Sequence, residues 1–355
     1  MIAHKWDAGK VLRLPFECLE TLPGGLREVR VWYDSLTEQF IAGKRLDLTM
    51  VDSNVLMEPQ ILAAVRHDHV VPIKAAAEVS GYPPPMRVIE ILMPYYKRGS
   101  VADALLRGER FTTHEAIALT QAALLGLGEL HERHHVLHRD VKSGNLLLTD
   151  EGSLRVGDLG LAGRMEDDGS TPALDNPQLY SPPELVTTGR WTRASDIFAM
   201  GIVLRELLLG PLPYDTYTRT EIVEKLVRGH SPIRPRDRNL PPWVPRPLQR
   251  IIRKATNPAA SQRYQSAREM GDALASARVP DWTSTEDGRW EAPYVRQRGR
   301  RVAVVVEPLR KGVRVDVLSY RTEWRRVRQP TVLPSADDAQ VTDAFAHAAK
   351  IAFAR

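Results

Sequence analysis

The chain has 355 residues, 43% hydrophobic and 26% charged, which is length for two domains and a composition that excludes a collagen-like or largely disordered chain. Forty-nine Lys and Arg against 44 Asp and Glu leave a formal charge of +5, too small over the whole surface to argue by itself for a nucleic acid or a membrane. Cys18 is the only cysteine, so disulfide frameworks and multi-thiolate zinc sites are excluded and a reducing, cytoplasmic compartment is expected; no apolar run reaches the roughly 18 residues that cross a bilayer.

Residues 1–15 read as an extension. Strand-favouring runs follow at 16–22, 28–33, 40–46, 70–79 and 87–93, punctuated by PGG at 23–25 and PPP at 83–85. One helix interrupts them at 53–65, where Val55, Leu56, Ile61, Leu62 and Val65 form an apolar face. From residue 100 the period becomes helical. Ser100 with Asp103 and Thr112 with Glu115 have capping-box spacing, and helices are expected over 113–133, 195–209, 221–227 and 247–255. The polar block around 279–293 reads as a linker. Beyond it, 302–306, 313–320 and 323–329 read as strands, and Ser335 is expected to cap a helix carrying Val341, Phe345 and Ala348 on one face. Residues 294–355 are thus expected to form a small basic β-β-β-α domain.

The sharpest motif is His138-Arg139-Asp140-Val141-Lys142-Ser143-Gly144-Asn145, with Asp158-Leu159-Gly160 thirteen residues after Asn145. Phosphoryl transfer asks a protein for a carboxylate at the attacking hydroxyl and for oxygen ligands to a hard cation. Asp140 suits the first need, and Asn145 and Asp158 the second. This string, together with Ile41-Ala42-Gly43-Lys44, Glu58, Ser181-Pro182-Pro183-Glu184, Ser195-Asp196 and Arg263 in that order, resembles the protein kinase superfamily, and specifically eukaryotic-like Ser/Thr kinases of the kind also found in bacteria. The resemblance covers about residues 16–278.

It implies an α+β, two-lobed protein kinase fold, with a β-rich lobe followed by a helical one, and the cofactors ATP and Mg²⁺. By it, Lys44 binds the α- and β-phosphates and pairs with Glu58. Val29, Ala42 and Leu147 enclose adenine, Met93 is the gatekeeper, and the carbonyl of Pro94 and the backbone of Tyr96 face the base. Asp140 receives the substrate hydroxyl, Lys142 neutralises the transferring phosphate, Asn145 and Asp158 hold the metal, and Arg263 pairs with Glu184.

Three departures stand out. The glycine-rich loop keeps only Gly24 at a family position, with Leu22 and Arg27 at the others and Gly25 as an extra. Leu159 replaces the usual Phe. Pro177 stands seven residues before Glu184, where the family has a Thr that bonds the catalytic Asp and Lys, and Thr171 comes too early to replace it. The alternative to an active Ser/Thr kinase that also phosphorylates itself is accordingly a nucleotide-binding pseudokinase scaffold.

Ser170 and Thr171 are expected phosphoacceptors, with Arg139 as the phosphate-binding guanidinium; the competing partner for Arg139 is the acidic run Glu166-Asp167-Asp168. His131-Glu132-Arg133-His134-His135 matches H-E-x-x-H in letters, but the helix must end there to deliver His138, so a helix-ending role outweighs a metal site. Trp191, Trp243 and Trp282 read as packing residues. Between Arg289 and Arg328, eleven arginines and one lysine meet four carboxylates. That balance suits a solvated face, or an acidic protein or nucleic-acid partner for residues 286–355.

Overall fold

The computed structural model describes residues 14–22, 28–47, 57–285 and 288–354. The chain divides into two compact units, residues 1–66 with 71–97 and residues 67–70 with 98–355.

In the first unit, β1 (Phe16–Leu22), β2 (Val29–Asp34), β3 (Gln39–Asp47), β4 (Ala75–Val79) and β5 (Val88–Pro94) form an antiparallel sheet in the order β1-β2-β3-β5-β4, accompanied by helix α1 (Met57–Ala64). Val31, Ile41, Leu46, Ile61, Leu62 and Ile91 are buried and build its core. The β1–β2 register skips between Cys18 and Glu20, and this bulge leaves Leu19 exposed on an otherwise paired strand. The strand expected from residue 70 begins only at Ala75. Pro72 has no N–H to give a ladder, and Val70 bridges Val156 within the second unit instead. Of the helix expected over 53–65, the first residues lie outside the described ones, as do Gly24 and Gly25.

The second unit opens with α2 (Val101–Leu106) and α3 (Thr113–Gly128), and both expected capping boxes are present. The helix Arg193–Leu209 is buried on every side, as a helix at the centre of a helical layer must be. Helix Arg246–Ala255 packs on it, and helix Ala267–Ala275 packs on α3. No helix among the described residues is long and apolar enough to cross a membrane.

The same unit ends in a six-stranded antiparallel sheet. Strands Thr283–Ser284, Arg289–Pro293, Arg301–Pro308, Val313–Tyr320 and Trp324–Arg326 follow one another, and Thr331–Leu333 also pairs with Val313–Tyr320. Helix Ala339–Ala352 lays Val341, Ala344, Phe345 and Ala348 over Val302, Val304, Val315 and Val317. Its cap is Asp338, whose Oδ1 accepts from the N–H of Gln340 at 2.8 Å, and not Ser335, which makes the turn before it. Of the expected strand 323–329 only Trp324–Arg326 forms, and a separate short strand follows at Thr331–Leu333.

The segment expected as a linker is where this sheet meets the helices. Trp282 is buried, its carbonyl accepts from the N–H of Thr113 at 3.1 Å, and Asp281 accepts from the N–H of His114 at 2.8 Å. Phe345 stands edge-on to Trp282 and to Trp290, with centroids at 5.5 and 5.6 Å, and Trp290 stacks on Trp243 at 6.1 Å. A polar composition hid the buried ring of Trp282 and the partly buried ring of Trp290. Phe345→Ala should therefore destabilise the helical unit by about 3–5 kcal/mol, the usual range for a buried Phe. Denaturant unfolding followed by tryptophan fluorescence checks this. A loss under about 1 kcal/mol would show that the sheet and the helices do not share this packing.

Candidate active site

In the first unit, the register pairs Val31 with Ala42 and Ala42 with Met93, and it pairs Val29 with Lys44 and Lys44 with Ile91. Because alternate strand residues share a side, Val29, Ala42, Lys44 and Met93 lie on one face of the sheet. On that face Lys44 Nζ donates to Glu58 Oε1 of α1 at 2.7 Å, with both side chains almost fully buried. A buried charge of this kind persists only when paired. The opposite face explains why Gly43 stands where a bulkier residue would be expected. A Cβ there would meet the Glu90 carboxylate at 2.0 Å, and Glu90 accepts from Trp32 Nε1 and, at 3.0 Å, from Arg45 Nε. Leu22 pairs with Val29, Pro94 ends β5 opposite Ile41, and Tyr96 follows half-buried.

In the second unit, Asp196 organises the loop that carries the motif. Its fully buried carboxylate accepts from the N–H groups of His138 at 2.9 Å and Arg139 at 3.0 Å, from Trp191 Nε1 at 2.9 Å and from His131 Nε2 at 2.8 Å. Burial alone would raise its pKa, but the hydrogen bond and charge of His131, with the charge and backbone N–H of His138, hold it below the usual carboxylate value. Arg139 takes a left-handed φ of 63° there. The next residue, Asp140, accepts at Oδ2 from Lys142 Nζ at 2.8 Å and Asn145 Nδ2 at 3.0 Å, and at Oδ1 from Gln178 Nε2 at 3.1 Å. Asn145 Nδ2 also donates to the carbonyl of Asp140, so Oδ1 is the atom Asn145 has left for a ligand. Asp158 is exposed, has a φ of 54°, and accepts from the N–H of Gly160 at 3.3 Å. Leu147 is half-buried in a short strand, and Leu159 is buried as an apolar plug.

Glu184 and Arg263, 79 residues apart, form a bidentate pair at 2.6 and 2.8 Å, and Ser195 Oγ adds a third bond at 2.7 Å. His131 is spent on Asp196 and His135 has a φ of 52°, past the end of the helix, so the H-E-x-x-H letters make no metal site. Among the described residues no group of three His, Cys, Asp or Glu could hold a metal ion.

The family model for the protein kinase domain matches residues 23–273. The chain belongs to the protein kinase family. It is 26% identical over 219 residues to a probable serine/threonine-protein kinase of Dictyostelium discoideum, covering 60% of this chain and 43% of the relative. It is 27% identical over 256 residues to the serine/threonine-protein kinase PrkC of Bacillus subtilis, covering 70% of this chain and 38% of the relative. The chain therefore spans about two fifths of the length of these relatives.

Arg139 does not wait for a phosphate. Its Nε donates to the carbonyl of Leu161 at 2.6 Å, Nη1 to that of Pro172 at 2.8 Å and Nη2 to that of Ala162 at 2.9 Å. Gly163 makes this possible, since a Cβ there would meet the guanidinium carbon at 2.7 Å. Nor does the acidic run serve Arg139. Thr171 pairs with Trp191 in a two-residue ladder, which brings Arg190 beside the turn, and Arg190 bonds Glu166 at 2.5 Å, Asp168 at 3.4 Å and Ser170 Oγ. Ser170 and Thr171 are buried, at 5% and 4% exposure, so neither hydroxyl is offered to an incoming enzyme in this conformation. Gln178 and Arg190 carried no motif signal and were missed. Only the Pro177 departure pointed near the first. Arg190→Ala should speed proteolytic cleavage within residues 164–176, whereas Ser170→Ala with Thr171→Val should speed it less, since Arg190 keeps its ion pairs with Glu166 and Asp168. Faster cleavage in the second variant only would return the loop to hydroxyl-based control.

Proposed function

We propose that this chain is a serine/threonine protein kinase that transfers the γ-phosphoryl group of ATP to a protein hydroxyl, its own included. The observation that carries this reading is the Asp140 carboxylate, pinned by Lys142, Asn145 and Gln178 and still holding an acceptor position. In the proposed step the substrate hydroxyl hydrogen-bonds to Asp140 and its oxygen attacks the γ-phosphorus. The bond to the β–γ bridging oxygen breaks, ADP departs, and the hydroxyl proton passes to Asp140. Lys142 is placed to offset charge on the transferring group, and the buried Lys44, oriented by Glu58, to hold the α- and β-phosphates.

The amide oxygen of Asn145 and the carboxylate of Asp158 are hard donors, and two such groups with nucleotide phosphates suit Mg²⁺ better than an all-protein cage would. Bound there, Mg²⁺ supplies charge neutralisation for the phosphates. The cytoplasm is the compartment proposed, supported by the single exposed thiol Cys18. With labelled ATP, Mg²⁺ and a generic protein substrate, Asp140→Asn and Asp158→Asn should each lower phosphate transfer by about two to three powers of ten with the circular dichroism spectrum unchanged. A wild type that binds ATP and transfers nothing would make the chain a scaffold.

The terminal sheet is proposed to dock an acidic protein segment through one end. Its outer face is nearly self-neutralised, because the register sets Glu291 beside Arg289 and Arg301, and Asp316 beside Arg314 and Arg326. Arg301 pairs with Tyr320, and the N–H of Val295 donates to the carbonyl of Ala352, so the 294–300 loop, the turn at 321 and the end of the last helix lie together. Arg296, Arg298, Arg300 and Arg321 cluster there with no carboxylate partner among the described residues. A compact patch suits a short acidic segment better than the extended track a nucleic acid follows. Replacing these four arginines by Ser should weaken binding of an oligo-aspartate peptide at least about tenfold. Tighter binding of single-stranded DNA than of the peptide, or no binding of either, would overturn this.

A further inference from the structure

Asp140 offers about four lone-pair sites when ionised. Lys142 and Asn145 occupy both on Oδ2, and Gln178 occupies one on Oδ1 at 3.1 Å. The carboxylate turns about Cβ–Cγ as one plane, so Lys142 and Asn145 on Oδ2 and Gln178 on Oδ1 restrain that rotation from opposite sides. Gln178 is the side chain that bonds the oxygen left for a substrate.

The segment that carries Gln178 is itself built into the catalytic loop at two points. Its own N–H donates to Ser181 Oγ at 2.8 Å, and Pro177 before it is buried with φ fixed by its ring. Two residues on, Tyr180 donates to Glu206 Oε2 at 2.6 Å and lies 2.7 Å from Ser143 Oγ, which donates to the same Glu206 oxygen at 2.7 Å. Ser143 belongs to the loop of Asp140. Glu206 is fully buried and takes two further bonds at Oε1, from Tyr214 at 2.5 Å and from the N–H of Leu212 at 3.1 Å. Burial drives the hydroxyl pKa of Tyr180 well up and that of Tyr214 to about 12, so both remain donors at neutral pH. Residues 178 and 180 of one turn, closed by the Ser181 N–H on the Gln178 carbonyl at 3.0 Å, therefore clasp the catalytic loop at residues 140 and 143.

We propose that Gln178 is a positioning residue for Asp140: its amide replaces the hydroxyl donor lost at Pro177, one residue earlier, and reserves the remaining Oδ1 lone pair for the substrate hydroxyl. This rests on the kinase reading above. It accounts for Pro177 without a loss of function, since the donor has moved along the chain and has not vanished.

The test compares variants in kcat, KM for ATP and thermal unfolding. Gln178→Glu keeps the shape of the side chain and removes the donor, so it should lower kcat by about ten- to a hundredfold with KM for ATP and Tm unchanged. Gln178→Ala should fall no further than that. Pro177→Thr in the Gln178→Ala background should recover part of the loss by restoring a donor one residue away. A role confined to packing would leave Gln178→Glu near wild type and only Gln178→Ala impaired, and that result overturns the proposal. So does a loss of kcat in Gln178→Glu accompanied by a lower Tm. A wild type that transfers no phosphate overturns the kinase reading and this one with it, whereas an active wild type with undiminished Gln178→Glu overturns this one alone.

Discussion

The active-site loop depends on one buried carboxylate. Asp196 sits fully buried at the start of a helix that is apolar almost everywhere else, and it survives there because four donors converge on it. Two of those donors are consecutive main-chain N–H groups, at His138 and Arg139, and accepting both forces the chain between them into a tight turn. The left-handed φ of Arg139 follows, and so do the direction of its side chain and the placement of Asp140 one residue later. Removing Asp196 would strand four buried donors, each costing about 1–3 kcal/mol. The loop geometry and the stability of the helical unit are therefore one quantity.

What was legible in the sequence was local or carried by spacing. Both capping boxes need only two side chains three residues apart, and both formed. Lys44 and Glu58 were paired by resemblance and meet at 2.7 Å. What was not legible needed knowledge of a distant partner. Val70 has strand character, and only the position of Val156 decides which unit it joins. Residues 279–293 are polar on average, yet Trp282 and Trp290 within them bind the terminal sheet to Trp243 and Phe345. Average polarity cannot report a stretch that packs two rings, one buried and one partly buried, against distant partners.

Charge was the least readable property, because a guanidinium's partner is set by pairing across strands. Arg139 had two plausible anions in the sequence and took neither, since three main-chain carbonyls lay within its reach. The acids near it went to Arg190 once Thr171 paired with Trp191. The terminal sheet repeats this. Eleven arginines suggest a basic face, but the register of the Arg301–Pro308 and Val313–Tyr320 strands interleaves carboxylates among them, so that Arg289, Arg301, Arg314 and Arg326 are paired within the sheet.

Asp196 is also not the only anchor on its helix. Glu206 lies ten residues further along the same helix, about 15 Å by the rise of an α-helix, and holds Ser143 as Asp196 holds His138 and Arg139. The catalytic loop is thus attached near both ends to one rigid rod, with Asp140 between the attachments. A rod buried on all sides cannot bend without opening the core, so the spacing of the two carboxylates is transmitted directly to the loop. The segment 178–180 then closes over the loop from the other side, bonding Asp140 through Gln178 and the Glu206 centre through Tyr180. Asp140 is thus held from two sides, by Lys142 and Asn145 of its own loop and by Gln178 of the segment that Tyr180 ties to Glu206, the second anchor on the same rod.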